Sequence, residues 1–450
     1  MAWFKKRSTA SAAGSLPGAG GLPGAGALPG VHARIREIGQ SLMTSALAHE
    51  KGFFSTSFWS DKLMNWAMKD PAFKVQLFRF IDVFPALHGA AEVRETLLDY
   101  LSQPGVTLPA GMGAGLAAGG VFQGTMEKTV LAQITGMAQK FIAGENLADA
   151  LPTLRKDWDR SLAFSVDLLG EACLNRAEAQ AYQQRYLEMI EGLPPAVASW
   201  PANPLLESDH LGAVPRANVS IKVSSFFAHI DPIDTPGSLD ALEAALAPLL
   251  DAAGRLGVLV NFDIEHEAIK DLTFDLFERC CEKHDFPAGL AMQAYLRSGP
   301  DDAQRIIDWS RRANRDVTVR LVKGAYWDYQ VAYSQQMGWP IPVWTSKSQT
   351  DACFEHMAGL FIANCPTRLG VGGTRLALGS HNVRSIAATL AAAEARGLPW
   401  NAVELQMLRG MADSLKLACV EQNLRVRQYV PIGELVPGMA YLVRRLLENT

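Results

Sequence analysis

Eight short apolar runs in the second two thirds of this chain alternate with helical stretches, which predicts an α/β fold built as a (β/α)8 barrel of the TIM type. Two further observations support the expectation. The repeat occupies about 290 residues, close to the ~250 residues plus insertions of such barrels. The alternative, a doubly wound sheet, wants a Gly-rich turn after its first strand, and Glu171-Ala172-Cys173-Leu174 stands there instead.

The elements follow in order. Residues 1–30 carry Leu-Pro-Gly-Ala-Gly at 16–20 and again at 22–26, with Leu28-Pro29-Gly30 beginning a third copy. Pro and Gly at this density cannot hold a helix or build a core, so a disordered tail is expected. The basic start MAWFKKR has no continuous apolar stretch after it, which argues against a signal peptide. From 31 to 155 the apolar spacing is helical, as in HARIREIGQSLMTSALAHE and in the run from Lys128 to Trp158, predicting a helical arm and helical domain ahead of the barrel. The Gly-rich interruption at 110–120 has no strand before it and reads as a loop. The barrel is expected over 156–450, with strands at 162–170, 217–225, 257–264, 289–295, 316–323, 375–380, 402–407 and 425–430.

Bulk properties narrow the function classes. The 450 residues are 48% hydrophobic with a net charge of -4, which gives no electrostatic footprint for nucleic acid. Six cysteines show no CxxC and no metal-type His/Cys spacing, so free thiols in a cytoplasmic setting are expected and no metal site is. No window reaches the ~18 consecutive apolar residues of a membrane span.

Barrel chemistry sits at the C-terminal ends of the strands. Those ends carry Glu171, Lys222, Asp263 with Glu265, Gln293 with Tyr295, Arg320 with Lys323, Ser380-His381-Asn382, Glu404 with Gln406, and Tyr429. Singly each has a bland reading: a local hydrogen bond, a helix start, or a lysine snorkelling to water. Together they predict a polar, mixed-charge pocket above an apolar core. Charges at the tail of a buried strand, as in Arg320 and Lys323, require partners, because an unpaired buried charge is too costly. In the last helix Tyr441, Arg444, Arg445 and Glu448 share one face, and paired arginines suit a carboxylate.

The stretches SIKVSS (220–225), AMQAY (291–295), RLVKGAYWD (320–328), VWTSKSQTD (343–351), SHN (380–382), LQMLRGM (405–411) and YLVRRLLEN (441–449) carry a resemblance to proline dehydrogenase. The form resembled is the one that makes the N-terminal half of the bifunctional proline utilization flavoprotein. The resemblance implies FAD bound at the barrel mouth. It implies oxidation of L-proline to Δ1-pyrroline-5-carboxylate by hydride transfer to flavin N5, with electrons passed to a membrane quinone. This is the first step of proline catabolism to glutamate. By motif position, Asp263 and Arg320 are the implied catalytic pair. Lys222, Tyr326, Leu408, Tyr429, Tyr441, Arg444 and Arg445 are the implied proline contacts. Ile264, Gln293, Arg320, Lys323, Gly324, Ala325, Trp327, Thr345, Lys347, Thr350, Ser380, His381, Asn382, Gln406 and Glu448 are the implied FAD contacts. Strand three, FDIEHEAIK, keeps Asp263 but lacks the clear second acid and downstream arginine of many relatives, and Ser380 stands where threonine is commoner. The aldehyde dehydrogenase half that relatives carry is expected either as a separate partner or as a missing C-terminal half. A Schiff-base aldolase using Lys222 or Lys323, or an inactive scaffold barrel, are the competing readings; neither explains the flavin-type set.

Overall fold

The computed structural model describes residues 29–49, 71–83, 87, 90–107, 140–170 and 172–434. The expected tail, the Gly-rich interruption and the last helix fall largely or wholly outside these residues, so Glu171, Tyr441, Arg444, Arg445 and Glu448 do as well.

Eight parallel strands close into a barrel: β1 (Leu162–Leu168), β2 (Asn218–Lys222), β3 (Leu259–Asp263), β4 (Ala288–Gln293), β5 (Asp316–Val322), β6 (Gly373–Gly379), β7 (Val403–Leu408) and β8 (Val426–Ile432). Every strand neighbours its successor, and β1 closes against β8 with Leu162 opposite Val426 and Leu168 opposite Ile432. All eight runs expected to be strands are strands. Their outward residues, such as Val166, Val219, Ile221, Val260, Phe262 and Leu376, are fully or almost fully buried under the helices. Burial on both faces is what β-branched, uninterrupted strands of a parallel sheet require.

Boundaries move where a side chain competes with the ladder. The second run was expected to reach Ser225, but β2 ends at Lys222 and residues Val223–Ser225 form a single 3-10 turn. There the Ser224 amide and hydroxyl both donate to the Glu265 carboxylate, at 3.1 and 2.6 Å. The helical pattern from Lys128 to Trp158 is also not one continuous helix. Residues 142–146 leave it, because the Ala143 amide donates to the Pro431 carbonyl and the Gly433 amide to the Gly144 carbonyl. A new helix, α4 (Leu147–Trp158), starts after Asn146, whose side chain accepts from the Asp149 amide.

Ahead of it lie α1 (Pro29–Ala48), α2 (Pro71–Val83) and α3 (Ala90–Leu101). Proline at the first position of α1 loses no hydrogen bond, since that N–H has no intrahelical partner. Val31, Ile35, Ile38, Leu42 and Ala46 form the buried stripe of α1, at helical spacing. After β1 come α5 (Arg176–Ala198), α6 (Thr235–Leu256), α7 (Lys270–Lys283), α8 (Gly299–Arg312), α9 (Trp327–Met337), α10 (Lys347–Ala363), α11 (Val383–Ala395) and α12 (Asp413–Glu421). The stripe of α1 packs against α11 and α12, and Arg34 grips Glu394 of α11 through two hydrogen bonds of 2.7 and 2.8 Å. None of these helices is long and apolar enough to cross a membrane.

The N-terminal end of the barrel is closed by a short antiparallel pair, Ser208–Asp209 with Gly212–Ala213. Asp209 pairs with Arg375 of β6 at 3.0 Å, and Arg425 donates to the Ser208 carbonyl. Among the described residues this leaves the C-terminal mouth as the open end.

Candidate active site at the barrel mouth

A cavity of about 430 Å³ occupies that mouth, a size within the range of small-ligand sites. Of the residues expected to form a site, Asp263, Arg320, Lys222, Tyr326, Leu408, Tyr429, Ile264, Gln293, Lys323, Gly324, Ala325, Lys347, Ser380, His381, Asn382 and Gln406 all line it. Trp327, Thr345 and Thr350 do not. The Trp327 indole instead donates to the Trp344 carbonyl at 2.8 Å, tying the start of α9 to the segment before α10, while Thr345 is exposed and Thr350 is buried in α10.

Arg320 is the hub. It is 4% exposed and reaches across the barrel from β5. Its Nη1 donates to Asp263 Oδ1 at 2.6 Å, its Nε to Gln406 Oε1 at 2.6 Å and its Nη2 to Ser165 Oγ at 3.0 Å. Acceptors on β3, β7 and β1 thus fix all three nitrogens of the guanidinium, and the group also lies over the Tyr429 ring, 5.1 Å from its centroid. Asp263 in turn accepts from the Tyr429 hydroxyl at 3.0 Å and from Asn261 Nδ2 at 2.9 Å. The charge at the tail of the fifth strand is therefore paired before any ligand arrives.

Two lysines extend the positive wall. Lys323 and Lys347 both hydrogen-bond Asp351, one carboxylate holding two ammonium groups at the cavity edge. Burial would raise the Asp351 carboxyl, but the Lys323 and Lys347 hydrogen bonds outweigh it and hold it below its usual value. On the opposite side Lys222 Nζ donates to Asp167 Oδ1 at 2.6 Å. Asp167 is fully buried, and that burial pushes its carboxyl up despite the Lys222 ammonium.

Other walls are set by backbone demands. Gly324 has φ +139°, in the left-handed half of the map that favours glycine, and follows directly on Lys323. His381 Nε2 accepts from the Leu408 amide at 3.0 Å, which joins the ends of β6 and β7, and Asn382 caps α11 by accepting from the Ser385 amide. Gln293 donates to the Ile264 carbonyl at 3.0 Å, leaving its buried Oε1 without a partner among the described residues. A buried acceptor left open on a cavity wall suits a ligand that brings an N–H or O–H.

Sequence reasoning missed Asp167, Ser165, Asp351, Ala291 and Met407. A signal existed for two of them. Asp167 is the one charge in the apolar run LAFSVDLLG, and Asp351 stands one helical turn after Lys347.

Below the cavity a second cluster fills the barrel. Glu404 accepts from Arg427 at 2.8 and 3.1 Å and pairs with Arg425 at 3.2 Å. Burial would raise the Glu404 carboxyl, but the Arg427 and Arg425 guanidiniums win and hold it at about 2, against 4.5 when free. Because the folded value is the lower one, this stabilisation is complete above the unfolded value and is lost as pH falls toward the folded one. Stability should fall by about 3 kcal/mol through this group between pH 4.5 and pH 2. Denaturant unfolding of the wild type and of Glu404→Gln at several pH values checks this. The gap between the two should narrow on acidification, and a constant gap would rule it out.

The fold and the mouth define the class: a (β/α)8-barrel protein with a cation-walled cavity of small-ligand size at its mouth. The family model described as "Proline dehydrogenase" matches residues 150–450, and "Proline utilization A N-terminal domain" matches residues 32–141. The chain belongs to the proline dehydrogenase family. It is 31% identical over 324 residues to the bifunctional protein PutA of Klebsiella aerogenes, a match covering 70% of this chain and 23% of that protein. It is 26% identical over 312 residues to proline dehydrogenase 2 of Bacillus subtilis (strain 168), covering 69% of this chain and 86% of that one. Among solved structures, proline utilization A of Bdellovibrio bacteriovorus, inactivated by N-propargylglycine, superposes with a TM-score of 0.82 at 36% identity, covering 93% of this chain and 42% of that one. The chain thus spans about a quarter of the length of the PutA protein it matches and under half of the solved one.

Proposed function

We propose that this chain oxidises L-proline to Δ1-pyrroline-5-carboxylate with FAD held at the barrel mouth, as the proline-oxidising step of proline catabolism. The observation that carries the reading is the convergence of Arg320, Lys323, Lys222 and Asp263 from three strand ends on one cavity, in a chain of this family. The residues present fit a flavin. Gln293 offers an open acceptor, and Lys323 and Lys347 supply cations for phosphates. A flavin held there would supply the two-electron oxidant, with N5 as the hydride acceptor and a quinone as the final electron acceptor.

The chain's own residues do the rest. Arg320 brings a fixed positive charge to the place where negative charge develops, without reorganising during the reaction. Tyr326, Leu408 and Tyr429 wall the space for the proline ring, and Lys222 stands ready for its carboxylate, with Arg444, Arg445 and Tyr441 of the last segment as further contacts. Holding the ring in one orientation converts encounter into proximity. Trp327, Thr345 and Thr350 are assigned flavin contacts outside the cavity lining, and Glu448 a contact near the amine or the flavin edge. In domain terms, the reading places a helical arm and helical domain at 31–155 ahead of a barrel from 156 onward, with an aldehyde dehydrogenase taking the product. An aldolase using Lys222 or Lys323 has less support, since a Schiff-base lysine accounts for neither the Arg320–Asp263 pair nor the Lys323–Asp351–Lys347 cluster.

The test is the absorption spectrum. The purified protein should be yellow, and L-proline added under argon should bleach the flavin bands. N-Propargylglycine should abolish that bleaching irreversibly. A colourless protein that gains no flavin on reconstitution, or one whose bands ignore proline, overturns the reading.

A further inference from the structure

We propose that Glu404, which does not line the cavity, is a positioning residue that sets Arg320 by fixing the amide of Gln406. The inference rests on the flavin reading above and extends it to a residue deeper in the barrel.

The argument is geometric. Gln406 borders the cavity and is 5% exposed. Its Nε2 donates to Glu404 Oε1 at 2.7 Å, and its Oε1 accepts from Arg320 Nε at 2.6 Å. Each contact alone selects the amide orientation, and both select the same one. Turned over, the amide would set its NH2 against the Arg320 N–H and its carbonyl against a carboxylate, leaving two buried clashes of like polarity. Glu404 cannot swing away to relieve them, because Arg427 grips both its oxygens and Arg425 adds a third contact. Arg427 is itself anchored to the Phe164 carbonyl at 2.7 Å. The result is a ladder of alternating groups along the barrel axis, from Arg427 through Glu404 and Gln406 to Arg320 and Asp263. Ordinary barrels fill this interior with branched apolar side chains. A buried ionic pair adds little net stability over such packing, so stability alone does not account for it. Its upper end is the guanidinium that faces the cavity.

Glu404→Asp tests the idea, since it keeps the charge that balances both arginines and withdraws the carboxylate from Gln406 by one methylene. Two quantities are read on the flavin-loaded protein: the rate of flavin reduction by proline, and the reduction potential of the bound flavin measured without substrate. With Arg320 loosened, the rate should fall on the order of tenfold or more, with proline KM nearly unchanged. The potential should move negative, because a less well-placed cation stabilises added negative charge less. Gln406→Met should reproduce both changes, and adding Glu404→Asp to Gln406→Met should move neither further. An unchanged potential in Glu404→Asp, or an equal additional loss in the Gln406→Met background, overturns the proposal. So does a Glu404→Asp protein that fails to fold or hold flavin while Gln406→Met does both, because Glu404 would then serve the barrel rather than the amide. A wild type that binds no flavin fails the reading above instead.

Discussion

Arg320→Met should keep the protein folded and yellow while slowing flavin reduction by proline by on the order of 10²–10³-fold, the loss found when one preorganised charge-stabilising donor is removed. The fold should survive because Asp263 keeps two donors, Tyr429 at 3.0 Å and Asn261 at 2.9 Å, so the carboxylate is not stranded. Stability should still drop, toward the low side of the ~3–5 kcal/mol that breaking a buried ion pair costs. Methionine fills much of the volume, which removes cavity formation as an explanation. The decisive comparison is rate against proline KM in a stopped-flow titration. A fall in rate with little change in KM marks a group acting on developing charge. A reduction rate within a factor of a few of wild type would remove Arg320 from the chemistry.

The sequence announced Arg320 because a cation inside an apolar, β-branched strand has few explanations. The same logic fits Asp167 in LAFSVDLLG and Arg425 and Arg427 flanking Val426, which went unread, and it names no partners for them. Lys222 lies 55 residues from Asp167, and Glu404 lies 23 from Arg427. Which strand faces which across the lumen becomes fixed only when β8 closes on β1. Strand existence was legible because period and composition are local. The ends of elements were less so, since Glu265 captures Ser224 beyond β2 and Pro431 captures Ala143 where the helical run breaks, through contacts between segments far apart in the chain. The cavity followed from a general rule of barrels: if eight runs are strands, their C-terminal residues must meet.

Gly324→Ala should be the most damaging single methyl in the mouth. A Cβ built there comes within 2.4 Å of the Tyr295 ring, and the backbone sits at φ +139°, which an L side chain adopts only under strain. Tyr295 has nowhere to go. It is 2% exposed, its amide donates to the Lys323 carbonyl at 2.7 Å, and its carbonyl accepts from the Trp344 amide at 2.8 Å. Backbone strain of about 1–3 kcal/mol and overpacking of similar size add to roughly 2–6 kcal/mol. The structure can avoid that cost only by shifting Lys323, Gly324 and Ala325, all of which line the cavity. The variant should therefore purify with little flavin and a lowered thermal midpoint. In a Tyr295→Ala background the same glycine substitution should cost less midpoint than it does in the wild type, because the clash is gone and only the dihedral remains. If Gly324→Ala holds flavin and melts as the wild type does, the turn after β5 is softer than its contacts imply, and Lys323 is not held in place by them.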